Sequence, residues 1–406
     1  MKKSLLKLLA AVMLVMVGLG IDGEGVVKAD MSGDWVYEVV GQQVTITGYA
    51  GQNTWLSVPD KISGMPVVCL KGTFWYNQRI ENVYIPPSVE RIEAVYTVEN
   101  GRYVRKGTFE GCRNLVTVSG AENVFAYAEG TFMNSIRLQN VSVQKADSIP
   151  GQMFFNCKSL THINIPDTVR EIEWQAFLGC SSLKTVCGGK NVKKYGSGVF
   201  KECRNLRNIS IAKVKELPEY MFFKCRKLSR ITIPTTVTRI QKGAFAYTNL
   251  SSVKIPYSVK LVGGSDEDIN EGAFANCKKL KSVRGGKNVS VYGKAAFYNC
   301  TRLKKISLGK IKVVPPYIFK NCFRLKNVTL PGTVRLIKEE AFKNCRSLKK
   351  MKLTKKIMEI QPKAFWGCKG LKKIVWGNKH VRIYENSFKG CPADKTKPKS
   401  ITILPI

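Results

Sequence analysis

Apolar residues return along this chain in a fixed order. Residues 228–245 show the pattern as LSRITIPTTVTRIQKGAF. Behind Leu228, Ile231 and Ile233 alternate with polar neighbours, which is a strand pattern. Pro234 ends the strand, because proline cannot donate to a ladder. Val237 and Ile240, three apart, predict a tight 3₁₀-like return, and Ala244-Phe245 a brief helical turn into the next strand. The closing Phe recurs fourteen times: Phe74, Phe109, Phe132, Phe154, Phe177, Phe200, Phe222, Phe245, Phe274, Phe297, Phe319, Phe342, Phe365 and Phe388. Its intervals are 22 or 23 residues, apart from 35 between Phe74 and Phe109 and 29 between Phe245 and Phe274. Self-similarity at this period predicts a solenoid, in which each repeat packs only on its neighbours and one core grows along the chain.

A second periodic position lies three residues after the Phe. Cys fills it eleven times, at Cys112, Cys157, Cys180, Cys203, Cys225, Cys277, Cys300, Cys322, Cys345, Cys368 and Cys391; Asn77, Ser135 and Thr248 fill the rest. All four residue types are small and carry a hydrogen-bonding group, which suits a buried ladder satisfying turn backbone. A disulfide position would not accept Asn or Thr, so reduced thiols are expected. Pairs such as Phe177/Cys180, Phe274/Cys277, Phe297/Cys300 and Phe342/Cys345 are therefore read as structural. Cys69 and Cys187 lie outside the ladder, and Cys187 is expected to face outward.

The ends and two insertions depart from the repeat. Lys2, Lys3 and Lys7 precede an apolar stretch over 8–21, and Val27-Lys28-Ala29 resembles a cleavage site before Asp30. Residues 1–29 are thus expected to be a secretory signal peptide, with an uncleaved anchor as the alternative. Residues 30–61 predict a β cap: Trp35, Tyr37 and Val39, then Val44 and Ile46, alternate around Gly41 as a hairpin. The repeats are expected over 62–406. Residues 93–106 and 262–269 add loops expected on one face, and 401–404 reads as a final strand.

The frame L-xx-I-x-IP-xx-V-xx-I-xxx-AF-xx-C resembles the BspA-like leucine-rich repeats of bacterial surface antigens. The best matches are LTHINIPDTVREIEWQAFLGC (160–180), LSRITIPTTVTRIQKGAFAYT (228–248) and LKNVTLPGTVRLIKEEAFKNC (325–345). The resemblance implies a leucine-rich repeat solenoid, α/β with short parallel strands and about 14 repeats of 22–23 residues, closed at its start by the hairpin cap. It further implies an extracellular adhesion or recognition protein without enzymatic activity, contacting host matrix proteins or other bacteria.

Charge sharpens this expectation. The formal net charge is +37, and residues 271–406 hold 33 Lys and Arg against 6 Asp and Glu. Strand side chains alternate between faces, so the residues flanking each core Ile line the outer sheet face. In the distal repeats those positions turn basic: Arg230, Lys254, Arg284, Lys305, Lys350, Lys352 and Lys373 are the candidate ligand-binding residues. The partner class is an extracellular protein or an anionic polysaccharide (host matrix, sulfated glycan or wall polymer), with nucleic acid left open. A second reading is a structural envelope protein retained on anionic wall polymer by bulk charge. No cofactor or metal is expected, since Cys spacings of 22–23 provide no CxxC pair. His162 and His380 are far apart, and the Gly-Gly-Lys-Asn at 188–191 and 285–288 lacks the phosphate-loop pattern.

Overall fold

In the computed structural model the described residues are 29–398 and 400–405, so the expected leader lies outside them apart from Ala29. The chain divides into two compact units, one reaching Asn191 and one from Val192 onward. Both are parallel β solenoids.

In the first unit, Gln43–Tyr49 pairs antiparallel with Trp35–Val40 and parallel with Met65–Lys71. The hairpin thus becomes the first rung of a ladder that continues through Arg91–Glu99 and Ala126–Tyr127. Trp35 and Tyr49 sit 6.1 and 6.0 Å from the Phe74 ring, the first of the stack. A second ladder runs through Trp55–Ser57, Asn82–Ile85, Thr117–Gly120 and Asn140–Val141. His162–Ile165 and Thr185–Gly188 pair in the same manner. Alternation sorts these strands as expected: Ile163 and Ile165 are buried, while His162 and Asn164 face solvent.

The second unit repeats the scheme. One ladder joins Ser252–Ile255, Ser282–Gly285, Lys305–Ser307 and Asn327–Thr329, and Lys350–Lys352 pairs with Lys373–Val375. The other joins Glu216–Leu217, Arg239–Ile240, Leu261–Val262 and Val291–Tyr292. Five more strands follow, from Val313–Val314 through Leu336–Ile337, Glu359–Ile360 and Arg382–Tyr384 to Thr402–Leu404. The expected final strand is therefore present, paired with Arg382–Tyr384.

Three local expectations are corrected. The return after the Pro forms a second parallel ladder of mostly two-residue strands in place of a 3₁₀-like turn. The Ala-Phe segment is a chain of hydrogen-bonded turns and contains no helix. Its bonds run three residues back, as in Ala246 N to Gly243 O (3.1 Å) and Thr248 N to Phe245 O (3.2 Å). Left-handed backbone on both sides of the Phe, at Gly243 (φ 63°) and Tyr247 (φ 61°), prevents a helix from propagating. Among the described residues the helical elements are two 3₁₀ segments, Ile269–Glu271 and Pro392–Thr396. Lastly, 228–233 does not pair as a strand, although Leu228 and Ile233 are buried. Alternation decides which side chains point inward; it does not bring neighbouring backbones to hydrogen-bonding distance.

The core is built from two stacks. Successive Phe rings lie 4.9–5.8 Å apart, for example Phe132–Phe154 at 5.4 Å and Phe342–Phe365 at 4.9 Å. Ladder thiols within each unit donate to the carbonyl of the Phe one rung earlier. Cys180 reaches Phe154 O at 3.0 Å, Cys300 reaches Phe274 O at 3.1 Å and Cys345 reaches Phe319 O at 3.3 Å. Ser135 makes the same bond to Phe109 O at 2.7 Å. Burial drives the thiol titrations upward, Cys277 to about 11 even though its hydrogen-bonding contact with Thr248 acts in the opposite direction.

Candidate binding surface

Parallel pairing fixes which candidate residues become neighbours. Lys254 lies opposite Arg284, and Lys350 lies opposite Lys373. Lys305 is placed between Ser282 and Asn327, and Lys352 opposite Val375. The inward residues of these strands, Val253, Ile255, Ile306, Met351 and Ile374, are buried and hold the outward ones in register. All six of these basic side chains are exposed. Arg230 is exposed as well, but it lies on the unpaired segment. There it lines an open polar groove with Arg207, Asn208, Lys227 and Ser229.

Like charges opposite one another in a ladder cost stability. Three acids of the distal repeats are engaged with other cations. Glu340 bridges Lys320 and Lys343 at 2.7 and 2.9 Å, Glu359 binds Arg382 at 3.0 Å, and Asp394 binds Lys397 at 2.5 Å. Burial opposes the Glu340 charge, yet the two lysine hydrogen bonds hold its carboxyl below the usual range. Among the described residues no ion pair reaches Lys254, Arg284, Lys305, Lys350, Lys352 or Lys373.

One set of cations escaped the reading by strand alternation. The residue following the repeat Leu gives Lys281, Lys304, Lys326, Lys349 and Lys372, all exposed. The signal in the sequence was the repeat itself, read at a position just before the strand.

His162 is exposed, with Nδ1 3.2 Å from the Thr161 hydroxyl. Cys187 is exposed on Thr185–Gly188, whereas Cys69 is buried. Both Gly-Gly pairs are turns with positive φ, and a Cβ on Gly285 would meet Ile255 O at 2.1 Å. Among the described residues no group of three His, Cys, Asp or Glu is arranged to hold a metal ion, and no helix is long and apolar enough to cross a membrane.

The first insertion is a β-hairpin, Arg91–Glu99 with Arg102–Gly107, turned by Asn100 and Gly101 with φ of 51° and 73°. The second, in the other unit, carries the 3₁₀ segment Ile269–Glu271, capped by the Asp268 side chain.

Similarity to a solved structure supports the fold. A leucine-rich repeat protein from Bacteroides ovatus superposes with a TM-score of 0.66 at 20% identity, covering 93% of this chain and 99% of that one. A leucine rich cell surface protein from Faecalibacterium prausnitzii gives 0.42 at 19% identity, covering 93% and 94%. A leucine-rich repeat protein from Eubacterium ventriosum gives 0.42 at 19%, covering 89% and 94%. No protein of curated function matches the sequence. The profile of the BspA type leucine rich repeat region matches in six copies across residues 70–163, 147–266 and 267–395, and with the stacked Phe and Cys rungs it places the chain in the BspA-type leucine-rich repeat family.

Proposed function

We propose that this chain is a secreted or cell-surface recognition protein that binds an anionic or matrix-type extracellular partner through the strand-lined face of its second unit. In this reading residues 1–29 are removed on export, 30–61 cap the solenoid, and the protein performs no catalysis. The observation that carries it is the set of exposed cations on neighbouring rungs, Lys254 beside Arg284 and Lys350 beside Lys373, with no acid paired to them. A ladder under like-charge repulsion gains stability when a polyanion neutralises it.

The test is charge reversal at Lys350, Lys352 and Lys373, with retention on immobilised heparin as the readout. The triple variant is expected to elute at clearly lower salt than the parent. Unchanged elution would remove the proposal.

Bulk retention on anionic wall polymer is the competing reading, favoured by the +37 net charge. Reversing three exposed lysines off the strand face, Lys310, Lys355 and Lys356, separates the two. Bulk charge predicts equal losses for both triples; a face-specific site predicts a loss from the first alone.

A further inference from the structure

The five lysines after the repeat Leu occupy one line running across the strands. Backbone bonds lock much of this line: Lys281 N donates to Ser251 O at 2.8 Å, Lys304 N to Lys281 O at 3.0 Å and Lys326 N to Lys304 O at 2.9 Å. Lys372 N likewise donates to Lys349 O at 3.0 Å. Between Lys326 and Lys349 the rungs are joined by Ser347 N to Phe323 O at 3.1 Å and by the stacked rings of Phe319 and Phe342. At about 4.8 Å per rung, five ammonium-bearing side chains are set over about 19 Å. Lys305, Lys350 and Lys373 flank the line as the next residues along their rungs. Among the described residues none of the five ammonium groups has an ion-pair or hydrogen-bond partner.

The fold does not demand lysine here. In the first unit the same column, read after the same repeat Leu or Ile, is Glu81, Val116, Gln139, Thr161 and Lys184. Its backbone register is the same, with Gln139 N on Val116 O at 2.9 Å and Lys184 N on Thr161 O at 2.7 Å. An unbroken row of like charges on adjacent rungs is therefore a property of this sequence that the repeat itself does not require.

We propose that this line seats a linear anionic glycopolymer running across the strands, with successive sulfates or phosphates held by successive lysines. This deepens the binding proposal above and rests on it. Three features select the class. The charges form a row, which matches a chain better than a compact partner. The positions are all Lys, point charges that ask for no planar bidentate acceptor. The row also carries neither apolar anchors of a protein interface nor aromatic platforms for bases. The exposed large apolar residues of this unit, Tyr257, Val291, Val313, Met358 and Ile403, lie off the row.

The experiment compares three variants of the full chain. These are K304Q/K326Q/K349Q on the row, the Lys350, Lys352 and Lys373 reversal on the strand face, and K310Q/K355Q/K356Q as control. Probes are heparin oligosaccharides of graded length, poly(glycerol phosphate), and single-stranded DNA of matched charge. The row variant is expected to weaken binding of the longer glycopolymers about tenfold at about 0.15 M salt. It should also flatten the log–log salt dependence by about two, near 0.7 per lysine removed. The control should match the parent. Whichever glycopolymer binds more tightly identifies the source as sulfated glycan or wall phosphodiester, and either supports the proposal. If the row variant binds like the parent while the face variant fails, the row is overturned and the face proposal stands. If both variants bind like the parent, both proposals fall. Tighter binding of the DNA than of either glycopolymer would overturn the assigned class.

Discussion

At the scale of single residues, the stacked thiol is the unit of this core. Cys300 donates to Phe274 O at 3.1 Å, and the same carbonyl receives a longer bond of 3.3 Å from Cys277 N. Replacing the thiol tests its hydrogen bond separately from its volume. Cys300→Ser keeps a donor, as Ser135 does at the equivalent position with a 2.7 Å bond to Phe109 O. Cys300→Val fills the space and removes the donor, leaving the Phe274 carbonyl with the weaker bond. Such a deficit costs about 1 kcal/mol or more. Urea unfolding should therefore rank Val below Ser by about that amount. Equal stabilities would mean that the slot selects for size alone. The sequence already pointed here, because Cys, Ser, Thr and Asn share a donor more than they share a shape. It could not say which acceptor the donor finds, since that carbonyl belongs to a residue 26 positions earlier.

At the scale of the element, each repeat turns at a left-handed residue two after its Phe. All fourteen such positions have positive φ, from Tyr76 through Asn344 to Gly390. Gly and Asn fill ten of them, and Glu202, Lys224, Tyr76 and Tyr247 bear the strain of a Cβ. The amide N–H there donates forward to the next rung, as Asn344 N does to Trp366 O at 2.8 Å. Asn adds a side-chain ladder, with Asn344 Nδ2 on Asn321 Oδ1 at 2.9 Å. Asn344→Ala loses both the left-handed tolerance and this bond and should cost about 1–2 kcal/mol. Asn344→Gly, which keeps the backbone freedom, should cost less. Thermal and urea unfolding of the pair check the order; Ala as stable as Gly would refute it. What alternation revealed and what it hid follow from length. Four-residue strands such as His162–Ile165 carry enough alternation to be read, whereas Arg239–Ile240 has two residues and no visible period. The Asn100-Gly101 hairpin was legible as a turn signal between alternating residues, yet a frame tuned to the repeat passed over it. The lysine row was hidden for a related reason. It lies one residue before the strand, where periodicity within the strand says nothing.

At the scale of the whole molecule, the thiols act together when the solution becomes alkaline. Burial raises Cys157, Cys180, Cys300 and Cys322 above the ordinary value of 9.0, and Cys277 to about 11. A raised folded value means that the folded chain keeps protons which the unfolded chain has begun to release. Stability is therefore intact below pH 9 and declines as the pH rises above it. Each such thiol contributes about 1.4 kcal/mol per pH unit once the unfolded form ionises. Several in one unit make the decline steep. Self-repulsion of a chain with a net charge of +37 acts on stability as well. The two effects separate if urea midpoints are measured between pH 8 and 10 with a fixed salt of about 0.5 M, which screens the repulsion, and with reductant present. Under those conditions the parent should lose stability progressively from pH 9. A Cys277→Ser, Cys300→Ser and Cys322→Ser variant, in which three buried titrations are gone, should follow a shallower line. Parallel lines would show that buried thiols do not set the alkaline limit of this core.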